Sequence, residues 1–347
     1  MRILGTALTF AFALAASATA PAARAQDTSH ATIPAAIDTA AHAAAAVTAT
    51  EVQGGDAHGA ATHGAAQPVD IITPHITDSD YIDYPCWNHG TLVCEADLKA
   101  VFGEHWYLPG TQIDVRPTKH VVMLWIAAAL CCIVLITASA AHTRHSHQIG
   151  RPRGFAAGIE AMVLYIRNEV AIPNLGHHGG GYAPFVMTIF FFVLFANLLG
   201  LIPYGSTATG NISVTGTLAI ITMVVIEAAG IRAQGLGYLN TIFYWNKDLP
   251  IVMRVIMFFV MTPVEIAGKI SKPFALAIRL FANMTAGHIV VLAFIGLIFT
   301  FKSLVSGAPL LMAVGIMMLE LFVSFLQAFI FTLLASVFIG QIREAHH

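Results

Sequence analysis

Charge is what this 347-residue chain has least of: Asp, Glu, Lys and Arg together make up 10% of it, against about 25% in a soluble domain. With 57% hydrophobic residues and a mean hydropathy of +0.73, that scarcity excludes a soluble protein and marks a polytopic membrane protein. The net charge is only −2, and nucleic acid is not an expected partner. No glycine-rich phosphate loop is present, so the chain itself is not expected to hydrolyse ATP, and no cofactor is expected. No internal repeat is visible either, which weighs against an ion-coupled secondary transporter with its site near midplane.

What acid there is lies unevenly: of the 19 acidic residues, 12 fall between Asp27 and Asp114. Residues 1–25 read as a secretory signal, with Arg2 as the basic start, an apolar run from Ile3 to Ala16, and A-R-A at 23–25 as a cleavage site. An uncleaved anchor is the alternative, and either one places the next segment of chain outside the cytoplasm. Residues 26–118 form an exported region. Up to about Gln67 it is Ala, Thr, Gly and His, with too few large apolar residues to fold alone. The irregular spacing of His30, His42, His58 and His63 fits no ligand set, so no metal site is expected, and a metal-binding role for this tail ranks below the other classes. Residues 69–118 hold enough aromatic and aliphatic side chains for a small cap. Cys86 and Cys94 are close enough to pair in an oxidising compartment or to stay free, whereas Cys131 and Cys132 fall in a span and read as small buried residues.

The membrane domain occupies residues 119–347. Apolar runs measured against the roughly 20 residues needed to cross hydrocarbon place spans at 120–142, 184–204 and 211–231. Phe155–Val170 is amphipathic and reads as a helix lying in the interface. Loops 143–183 and 232–254 carry the arginines and lysines while 204–210 carries none, so the two larger loops are expected in the cytoplasm. Met261–Phe301 is too long for one upright crossing, about 60 Å of helix against about 30 Å of hydrocarbon. Pro309–Gln341 is similarly long. The expected fold class is therefore all-α: about five membrane helices plus an interfacial one, the last two long, strongly tilted, and paired as a hairpin turning near Ser303–Ala308.

Helical geometry sorts the polar residues of that hairpin. Glu265, Lys269, Lys272, Arg279 and Asn283 fall within about 80° of one another, and Glu320, Ser324 and Gln327 form a second stripe. Such stripes must face protein, a partner or a water-filled cavity. For an antiparallel pair, residues at one depth share an index sum, and His288–Glu320, Arg279–Gln327 and Glu265–Gln341 agree to within two. Straight helices would not let both upper pairs face each other, so curvature or a local irregularity is required. Glu320 and His288 can exchange protons near neutral pH; Arg279 cannot release one. A titratable ladder interrupted by a fixed charge suits proton conduction in two disconnected halves, the alternative being buried pairs that only fix the fold. Lys269 and Lys272 read as snorkelling or headgroup contacts.

The run A-I-R-L-F-A-N-M-T-A-G-H around Arg279 and Asn283, with F-L-Q-A-F-I-F around Gln327, closely resembles subunit a of F-type ATP synthases. The resemblance extends from about Leu108 to the end. It implies a non-catalytic channel and stator subunit in a bacterial inner membrane, with a c-ring, peripheral-stalk b subunits and the lipid bilayer as partners. It gives Arg279 the central place facing the ring carboxylates, has Asn283 and Gln327 line the site, and assigns Glu265 to the cytoplasmic exit. N-I-S-V-T at 211–215 matches the start of the preceding helix. Many bacterial members carry glutamate at the position of His288 and histidine at that of Glu320; here the two are exchanged, as in mitochondrial relatives.

Overall fold

The computed structural model describes residues 78–88, 91–103, 117–145, 154–176, 179–202, 206–238, 242–243, 250–300 and 307–344. The expected signal segment, the His-rich tail and the tip of the long hairpin lie outside them. Within the cap, strands β1 (Tyr81–Asn88) and β2 (Thr91–Asp97) pair antiparallel, with Tyr81 opposite Asp97 and a register irregularity between Pro85 and Asn88. Cys86 and Cys94 lie on these adjacent strands, but their side chains are not among those described. A short helix α1 (Leu98–Phe102) follows at once, its first turn closed by the Asp97 carboxylate, which accepts from the Lys99 amide at 2.8 Å.

The cap is tied to the start of the first membrane helix, α2 (Lys119–His145). The Lys119 amide donates to Ser79 O at 3.1 Å, and His120 Nδ1 lies 2.7 Å from the Asp78 carboxylate. Phe102 meets Trp125 edge to face at 6.3 Å between centroids. Such ties occupy polar groups at the helix start that would otherwise need water.

The interfacial segment begins as α3 (Phe155–Tyr165), passes through a π-helical turn at Ile166–Ala171 and ends as α4 (Ile172–Leu175). The wider turn points Ile166, Val170 and Ala171 inward together, and all three are buried. Then come α5 (Ala183–Gly200), α6 (Ile212–Gln234), α7 (Ile251–Thr300) and α8 (Gly307–Glu344). The protein is thus an all-α polytopic membrane protein carrying a two-stranded cap. Five of its described helices, α2, α5, α6, α7 and α8, are long and apolar enough to cross a membrane.

Helix α5 is the packing centre: Val186, Ile189, Phe191, Val193 and Asn197 are all almost fully buried. Helices α2, α7 and α8 contribute Leu124, Leu280 and Phe331 to the same core. The hairpin arm α7 begins ten residues before the expected Met261 and runs unbroken for 50 residues through Pro263 and Pro273, about 75 Å of helix. Each proline removes one backbone N–H without ending the helix.

Candidate functional site

On α7 the sequence separates two faces at the expected period. Leu276, Leu280 and Met284 are buried, with Val291 two turns on, and pack toward the chain's own core. Ala275, Ile278, Arg279, Ala282, Asn283 and Ala286 form the opposite, exposed stripe. Arg279 makes no hydrogen bond or ion pair with any of the described residues. Ala275 and Ala282, one turn either side of it, are small, and small residues let another helix come close. Gln327, at the same depth on α8, is by contrast buried. The structure does not join it to Arg279 by a hydrogen bond among the described residues.

Toward the tip of the hairpin, His288 and Glu320 are both half-buried. A Cβ added at Gly287 would overlap the Glu320 carboxylate, so glycine is what lets that side chain lie against α7 one residue from His288. This is the level that equal index sums assign to His288 and Glu320. The wall beside it is polar. Ser324 donates its hydroxyl to Glu320 O at 2.8 Å, and Asn197, fully buried on α5, donates to Ser324 O at 3.4 Å. Asn197 Oδ1 in turn accepts from the Thr209 hydroxyl at 2.8 Å. The segment before α6 reaches α7 through Thr285, whose hydroxyl donates to Gly210 O at 3.4 Å.

At the other end of the hairpin, α6, α7 and α8 enclose a cavity of about 180 Å³ lined by Glu227, Glu265, Lys269, Lys272, Phe338 and Gln341 among others. Glu265 and Gln341, matched in depth by index sum, thus share one space. The single polar stripe expected on α7 divides: Glu265, Lys269 and Lys272 turn into this cavity, while Arg279 and Asn283 stand on the exposed face.

Lys269 does not snorkel. Its ammonium lies 3.0 Å from Glu227 Oε1 on α6, and Tyr238 caps the pair, its hydroxyl donating to Glu227 and accepting from Lys269. Lys272 lies over the Phe338 ring at 4.9 Å from its centroid. Sequence reasoning passed over Glu227, although it is the one acidic residue in Ile212–Gln234 and an intramembrane carboxylate asks for a partner. Gly287 and Asn197 were also passed over; only a side chain seated across the helix interface reveals them.

The family profile described as ATP synthase A chain matches residues 121–340. The chain belongs to that family. Among its relatives, ATP synthase subunit a of Anaeromyxobacter dehalogenans strain 2CP-C is 42% identical over 281 residues, covering 80% of this chain and 71% of the relative. The Chloroherpeton thalassium subunit a is 44% identical over 239 residues, covering 68% and 70%. That of Myxococcus xanthus is 40% identical over 287 residues, covering 80% and 91%. By family, then, this is a non-catalytic subunit of the membrane sector of a rotary ATP synthase, working within a membrane-embedded complex.

Proposed function

We propose that the chain conducts protons across a bacterial inner membrane through two offset half-channels separated by Arg279, which faces the carboxylates of a rotating c-ring. The observation that carries this reading is the exposed guanidinium, without a hydrogen bond or ion pair among the described residues, on a stripe that carries Ala275, Ala282 and Ala286. An arginine at membrane depth costs about 2.5 to 3.5 kcal/mol on insertion scales and asks for a partner, which a neighbouring subunit can bring. A ring carboxylate supplies the matching charge. Because Arg279 never releases a proton, it holds that carboxylate while interrupting a continuous proton path.

In this reading His288 and Glu320 form the outer path, beside the polar wall of Asn197, Ser324 and Thr209. Asn283 and Gln327 flank the arginine. Glu265 and its cavity form the inner path. The arginine- and lysine-bearing loops lie in the cytoplasm, with the N-terminal region exported and the C-terminus inside. Peripheral-stalk b subunits then take other exposed faces and hold the chain still while the ring turns against the Arg279 stripe.

The test is ATP synthesis driven by an imposed proton gradient in vesicles holding the assembled complex. Arg279→Ala and Arg279→Lys should both abolish synthesis without preventing assembly, since lysine can lose its proton when buried and lacks the planar fork. Normal coupled synthesis by an assembled Arg279→Ala complex overturns the reading.

A further inference from the structure

The inner cavity holds two carboxylates, and the structure treats them differently. Glu227 is paired: Lys269 Nζ lies 3.0 Å and 3.3 Å from its two oxygens, and the Tyr238 hydroxyl donates to one of them. Lys269 also sits over the Tyr238 ring, 4.6 Å from the centroid, and its side chain is 12% exposed. Tyr238 is itself buried, its ring flat against α6 at Gly230, where an added Cβ would come within 2.6 Å of the ring edge. Carboxylate, ammonium and phenol therefore satisfy one another in a built arrangement. Glu265 lines the same cavity and forms no ion pair among the described residues.

We propose that Lys269 is a positioning residue that locks Glu227 as a fixed, non-exchanging charge in the cavity wall, leaving Glu265 as the acid that passes protons to water there. The exchange itself is simple: the Glu265 carboxyl gives its proton to cavity water and takes one back. A second free carboxylate in the same space would couple to it, and protons would leave in two steps belonging to the pair. Among the described residues, the charged or titratable groups around Glu227 are Lys269, Lys272 and Glu265 from α7 and Tyr238 beyond the end of α6. Helix α8 lines the cavity with Phe338, Gln341 and Ile342, none of them titratable. The Lys269–Glu227 pair thus contributes, with Lys272, to the local field at Glu265.

This inference rests on the inner half-channel proposed above, and the test separates the two. Passive proton conduction by the reconstituted complex is followed while the pH on the Glu265 side is varied. Lys269→Met leaves Glu227 uncompensated and should move the half-maximal pH by about one unit or more, the scale of a lost charge partner. Glu227→Gln leaves Lys269 uncompensated and should move it in the opposite sense. The double variant, with both charges gone, should return it close to the wild-type value. Unchanged half-maximal pH in all three, with conduction lowered only in step with assembly, would make the pair a structural tie and overturn the proposal. Glu265→Gln is the separate arm: conduction indifferent to it removes the half-channel reading and this inference together. Conduction sensitive to Glu265 but indifferent to Lys269 removes this inference alone.

Discussion

Helices α5 and α7 are similarly apolar, yet 78% of the most apolar stretch of α5 is buried inside the chain and only 17% of that of α7. Hydrophobicity cannot decide between them, because lipid tails solvate Leu and Phe as well as a protein core does. Polar side chains separate the two. Those of α5 are closed within the chain, Thr188 back onto Pro184 O at 2.8 Å and Asn197 between Thr209 and Ser324. Those on the exposed stripe of α7, Arg279 and Asn283, have no such closure among the described residues. In a bilayer, the polar residues of a helix reveal which neighbour it has been given.

The contrast is broken most sharply within α7 itself. Leu280→Ala empties a site that is 1% exposed and should destabilise the purified chain by about 2 kcal/mol or more, mainly through the cavity left behind. Ile278→Ala, two positions away and 40% exposed, should change it by no more than about 0.5 kcal/mol. Thermal unfolding in detergent compares the two. Equal losses would mean that both faces of α7 pack against the chain, removing the exposed stripe on which the Arg279 argument stands.

A smaller effect is expected from the polar groups. Asn197→Leu removes both hydrogen bonds that close α5 against α8 and the segment before α6. In membranes such bonds contribute about 0.6 kcal/mol each and rarely above about 1.7. Asn283→Leu, on the exposed stripe, should leave the stability of the isolated chain unchanged. The same denaturation series reads both. Equal destabilisation by the two variants would show that Asn283 finds a partner within the chain.

How far the sequence reaches depends on the same distinction. The hairpin was legible because antiparallel helices impose one index sum, and Gly287 against Glu320, like Glu265 beside Gln341, obeys it. The interfacial segment was legible from its period. The Lys269–Glu227 pair was not, because it joins α7 to α6 at a crossing no periodicity describes. The strands of the cap were missed as well: Y-I-D-Y-P-C-W-N alternates weakly and contains a proline, and only pairing with T-L-V-C-E-A-D makes it a strand. The start of α7 at Ile251 was not legible, because Arg254 in its first turn counts that stretch into the basic loop 232–254.

The smallest expected effect lies where the chain leaves the membrane, at the tie between the cap and α2. Burial alone would raise the Asp78 carboxyl, but the hydrogen bond from His120 and its charge, with a further hydrogen bond from Thr118, outweigh it. The group is held below its ordinary 3.8. A carboxyl depressed in the folded state contributes stability above its unfolded value, and that contribution is lost as pH falls through the folded one. The Asp78 contribution to docking should therefore be fully present above the ordinary carboxyl value and be lost only in stronger acid. Hydrogen exchange at the Lys119 amide, which bonds to Ser79 O, reports the docked state. Asp78→Asn should remove the acid-dependent step while leaving exchange within α5 unaltered. An acid step that persists unchanged in Asp78→Asn would assign it to another group and leave the Asp78–His120 contact without a part in holding the cap.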